Sequence, residues 1–174
     1  STDIAALVCL LVALPVFVLH TLRARRGVRP AVRPLAAFEK LERLVNQAAE
    51  SGRPVHVAVG TGQLGTADTP EALMGLVVTD YVARRAAVHA QPIMGTTGDP
   101  ASLLVSQGLV HQALLEAGFP DRYRASDVSF YGPEPLAYAA GALDVDAHRR
   151  DVGAVLLGRF GIEGLWLAEA GAEP

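Results

Sequence analysis

Residues 55–73 read VHVAVGTGQLGTADTPEAL. An apolar, β-branched run empties into Gly60, Thr61, Gly62, Gln63, Leu64 and Gly65, and a helix-forming segment follows Pro70. A buried strand passing through a glycine loop into a helix is the opening of a parallel crossover unit, and the flanking sequence repeats the pattern. Upstream, residues 35–51 place Leu35, Phe38, Leu41, Leu44, Val45 and Ala48 on one helical stripe, with Gly52 as the stop. Downstream, PVHVAV leads to a helix over 70–90, QPIMGT to one over 100–117 and SDVSFYG to one over 133–150, before the apolar run VGAVLLG. Strand and helix in alternation predict an α/β domain, Rossmann-like, in three layers with a mostly parallel sheet. The closing GLWLAEAG reads as one further strand, antiparallel to its neighbour through the turn GRFGIEG.

The glycine loop admits two readings. In a dinucleotide site the loop enters the helix directly, the pyrophosphate sits at the helix N-terminus, and an acid about 20 residues on holds the ribose. Here TADTP intervenes, and Glu71 and Asp80 fall within the first helix. Asp68, Asp99 and Glu134 put like charge at the helix ends a phosphate would seek. A triphosphate loop is excluded because no lysine follows the glycines; Lys40 is the sole lysine. The residues therefore favour a sharp strand-to-helix turn that uses glycine's backbone freedom. The prolines after Gly65, Gly98 and Gly132 mark helix starts, with Thr69, Asp99 and Gly132 as expected caps. If a nucleotide or polar metabolite binds, the crevice beyond the strands' carboxyl ends receives it, at Gly60, Thr61, Gly62, Gln63, Gly65, Thr96, Thr97 and Asp99, with Thr66, Tyr131 and Glu134 nearby. The cofactor is unknown from these residues.

Catalytic chemistry is sparse. His20, His56, His89, His111 and His148 show no metal-ligand spacing, so no metal site is expected. No nucleophile elbow occurs, and Ser102 and Ser106 fall inside a helix. These features name no catalytic residue, and the expected role is non-enzymatic.

The amino-terminal run Ile4–Leu22 carries no formal charge and has the length of a bilayer crossing. Asp3 precedes it; Arg23, Arg25, Arg26, Arg29 and Arg33 follow it, the reverse of a signal peptide's flanks. The arginines predict a single-pass cell-membrane anchor with the domain on the cytoplasmic side, and membrane lipid as the first partner. The organisation is then anchor and basic flank over 1–26, linker over 27–34 and α/β domain over 35–174. The single cysteine, Cys9, lies in the anchor and excludes an intrachain disulfide. A net charge of −3 excludes nucleic acid as a partner of the main body.

The helices PEALMGLVVTDYVARRAAVHA and PASLLVSQGLVHQALLEAG are apolar around much of their circumference. That breadth predicts burial against a second chain, in a homo-oligomer or membrane protein complex, with Val78 and Leu109 among the outward residues. The phrases PVHVAVGTGQLGTADTPEALMGL, PIMGTTGDPASLLVSQGLV and DVSFYGPEPLAYAAGA resemble an uncharacterised family of bacterial, Chloroflexi-type membrane-anchored proteins with a Rossmann-like cytoplasmic region. The resemblance covers Arg33 to Gly171 and implies further glycine- and alanine-rich sequence beyond LWLAEAG. It brings no activity. The expected function is thus an accessory or scaffold subunit of a membrane assembly, the alternative being a tethered binding domain or enzyme at the glycine loop.

Overall fold

The computed structural model describes residues 2–25, 36–149 and 152–171. The linker expected over 27–34 lies outside them. The chain divides into two compact units, residues 1–35 and 36–174. In the first, Thr2–Arg25 form one helix, α1, and its stretch Ile4–Arg23 is long and apolar enough to cross a membrane. Pro15 is accommodated inside it.

The second unit opens with α2 (Ala36–Ser51), whose stripe buries Leu41, Val45 and Ala48. Then follow β1 (His56–Gly60), α3 (Thr69–Ala87), β2 (Met94–Thr97), α4 (Pro100–Glu116), β3 (Val128–Phe130), α5 (Pro135–Arg149), β4 (Ala154–Arg159) and α6 (Glu163–Ala170). The sheet order is β3-β2-β1-β4, with every pairing parallel. His56 is in register with Met94 on one side and Ala154 on the other; the β1–β4 register shifts between Ala58 and Gly60. Building runs outward from β1 to β3 and then returns to β1's other edge.

That reversal produces the three layers. Alternation along β1 sends Val55 and Val57 into a core with α2, α3 and α4, including Val82, Val110 and Leu114. On the other face, Tyr138 and Ala142 of α5 and Leu167 of α6 pack with Leu156 and Phe160. His56 lies in this sheet fully buried, its Nε2 2.8 Å from Thr96 Oγ1.

Four expectations are corrected. GLWLAEAG supplies no strand: α6 occupies it, because leucine, alanine and glutamate favour a helix and its i,i+4 pair Glu163 and Leu167 both turn inward. The first helix of the crossovers begins at Thr69 after Asp68, which makes no side-chain cap bond. Gly132, at φ +90°, lies three residues ahead of Pro135 and is a turn residue, not a cap. Asp99 does cap α4, its carboxylate accepting from Ser102 N. Val78 is buried in the core and is not an outward residue, whereas Leu109 is half-buried.

Candidate ligand site at the carboxyl ends of the strands

The reversal in strand order falls between β1 and β4, where open α/β sheets hold their ligands. Gly60 ends β1 at φ +82°, and a Cβ there would stand 2.4 Å from the Arg159 carbonyl oxygen. Its N–H donates to Tyr138 Oη at 3.2 Å, while its carbonyl accepts from Gly98 N at 2.9 Å. Thr61 N donates to Arg159 O at 3.1 Å, tying the loop to the end of β4. A Cβ on Gly98 would meet Gly132 O at 2.8 Å and Thr61 Cα at 2.9 Å. The loops after β1, β2 and β3 therefore approach each other at backbone contact.

Several further loop groups are engaged. Leu64 N donates to Asp99 Oδ2 at 3.4 Å, and that oxygen also accepts from Ser102 N and Ser102 Oγ, both at 2.8 Å. Gly65 N donates to Thr69 Oγ1 at 2.9 Å, which itself donates to Thr66 O at 2.7 Å. Gln63 is exposed, and its carbonyl accepts from Thr66 Oγ1. Gly62 is buried without a positive φ, its nearest neighbour from a notional Cβ being Arg159 Cβ at 3.4 Å.

Thr96 and Thr97 are buried. Thr96 Oγ1 lies 3.1 Å from Tyr138 Oη, forming a chain His56–Thr96–Tyr138–Gly60 that runs from the sheet into the loop. Thr97 Oγ1 accepts from Asp99 N at 3.2 Å. Tyr131 is half-buried against α5, and Glu134 is exposed. The structure thus gathers the β1 and β2 residues around one set of mutual hydrogen bonds, with Gln63 and Gly65 on its solvent side.

Three participants escape a reading of the sequence. Tyr138 arrives from α5, 78 residues from its partner Gly60. Arg159 pairs with Asp68 across the loop. Glu163 is fully buried at the start of α6; its Oε1 accepts from Gly161 N at 2.8 Å and Thr61 Oγ1 at 3.4 Å, while Oε2 has no hydrogen-bond partner among the described residues. An acid between glycines in GRFGIEG was the only available signal for it. Among the described residues, no group of three His, Cys, Asp or Glu side chains could hold a metal ion.

The sequence profile of a domain of unknown function, DUF6754, matches residues 1–173. The chain belongs to that family. The match runs through α1 as well as the α/β unit. No curated protein and no solved structure matches the chain.

Proposed function

We propose that the protein is a single-pass membrane-anchored α/β module that works by assembly with a second copy of itself, as a non-catalytic accessory or scaffold subunit on the cytoplasmic side. The observation that carries this reading is the solvent-facing apolar surface of α3 and α4. Leu73, Met74 and Val77 on α3, with Leu104 and Val105 on α4, are 43% to 70% exposed. Side chains this exposed offer roughly 500 Å² of the about 800 Å² per partner that a standard interface buries. The inward sides of both helices are already occupied by the core, so this second apolar side has no use within the unit.

The anchor favours the same occupant. The family match includes α1, which supports treating the helix as part of the working protein. Copies anchored in one membrane share an orientation, which suits a two-fold axis along the membrane normal. The arginines after Leu22 favour the cytoplasmic side. The bacterial, Chloroflexi-type setting suggested by the resemblance is part of this proposal. The internal bonding of the glycine loop weighs against the alternative, a nucleotide or polar metabolite held by that loop.

Cysteine cross-linking tests the reading. In a Cys9→Ser background, Leu73→Cys, Val77→Cys or Leu104→Cys should give disulfide-linked dimers in native membranes under mild oxidation. Glu169→Cys, exposed on α6, should not. Absence of cross-links at all three apolar positions would remove the reading.

A further inference from the structure

A second open space lies at the other end of the sheet. Beneath the amino ends of β1 and β2, a cavity of about 380 Å³ is bounded by the segment Gly52–Pro54, by residues 91–94 and by the two 3-10 turns Pro120–Arg122 and Ala125–Asp127. Its volume sits at the small end of ligand pockets, suiting one monosaccharide-sized molecule and not a dinucleotide. Pro54 and Met94 supply apolar wall.

The polar lining has an unspent donor set. Arg122 and Arg124 are exposed at the rim, and neither guanidinium makes a hydrogen bond or ion pair among the described residues. The Gln91 side-chain amide, half-buried in the same wall, is also uncommitted among them. Elsewhere on the surface the arginines of α3 are engaged: Arg84 with Asp80 and Glu116, Arg85 with Glu42. Two guanidiniums lining one cavity match the planar, doubly accepting oxygens of a phosphate or carboxylate. Asp121 at the rim adds a carboxylate acceptor. Acceptors repel a bare anion but receive hydroxyl donors, so the mixed lining selects for a ligand with both.

We propose that this cavity binds a small phosphorylated polyol, its phosphate held by Arg122 and Arg124 and its hydroxyls by Asp121 and Gln91. The site is independent of the α3–α4 surface and of the glycine loop. Binding would be readable as regulation or delivery at the end of the domain remote from the loops that follow the strands.

Isothermal titration of the full chain in detergent micelles tests it, with ribose 5-phosphate, glucose 6-phosphate and glycerol 3-phosphate as probes and inorganic phosphate and ribose as separate arms. At least one phosphorylated polyol should bind saturably and more tightly than inorganic phosphate, and ribose should not bind. Arg122→Ala and Arg124→Ala, both at exposed positions, should each weaken that binding roughly tenfold or more with the melting temperature unchanged. Arg122→Lys should retain part of it. No saturable binding by any of the three probes would overturn the proposal. So would equal binding of inorganic phosphate, or binding that survives the double Arg122→Ala, Arg124→Ala variant.

Discussion

Gly60 carries two constraints at once: a left-handed φ of +82° and a backbone oxygen where any Cβ would sit. Gly65 carries only the first, since a Cβ there would meet nothing within 4 Å. Gly65→Ala is therefore expected to cost about 1 kcal/mol of conformational strain, and Gly60→Ala clearly more because the Arg159 carbonyl must also move. Gly62→Ala, at an ordinary φ with contacts of 3.4 Å and beyond, should be near neutral in the same denaturant titrations. Tyr138→Phe should cost about 1–3 kcal/mol, since it leaves the buried Gly60 N–H without its acceptor. At this scale the sequence shows where glycine freedom is needed but not which glycine needs it. The strand-to-helix pattern marks Gly60 to Gly65 as a turn, whereas Tyr138, Arg159 and Glu163 make contacts there across 78, 91 and 102 residues. No local spacing encodes those contacts.

Among the elements, α4 has the clearest start. Asp99 receives Ser102 N, Ser102 Oγ and Leu64 N, so one carboxylate both caps the helix and pins the glycine loop. Asp99→Ala should lower stability by about 2 kcal/mol, at the upper end for a cap because the side chain is buried. The far end of α4 is tied to α3 by an exposed network. Arg84 pairs with Asp80 and Glu116, and Gln112 donates to Glu116 Oε1 at 2.7 Å. The Gln112 hydrogen bond, then Arg84, holds the Glu116 carboxyl below its ordinary value of 4.5. Asp80, then Glu116, raises the already high value of Arg84, which stays charged throughout. A lowered carboxyl contributes stability that is complete above the unfolded value and lost as pH falls through the folded one. The melting-temperature gap between the native chain and Glu116→Gln should thus be small at neutral pH, shrink with salt, and close progressively below about 4.5. Helix and strand alternation made α2 to α5 legible in the sequence, and the structure matches their order. GLWLAEAG was not legible: eight residues are too few to separate a buried strand from a helix by period, and the inward turn of Glu163 and Leu167 is a tertiary fact.

For the whole molecule, the apolar breadth of α3 and α4 was visible in the sequence, but its division into core and surface was not. Val78 faces the core, whereas Leu73, Met74, Val77, Leu104 and Val105 face solvent. A helix apolar on several sides gives no phase from which to read that split. Self-association is assigned to this surface, and α1 could associate on its own, so the measurement must separate the two. Sedimentation equilibrium in density-matched detergent does so when the full chain is compared with a Val77→Asp, Leu104→Asp variant. Both positions are solvent-facing, so the variant should keep its helical circular dichroism. The native chain should form a reversible dimer or higher oligomer and the variant a folded monomer. A native chain that stays monomeric at every concentration, or a variant that assembles as tightly as the native chain, would contradict that assignment.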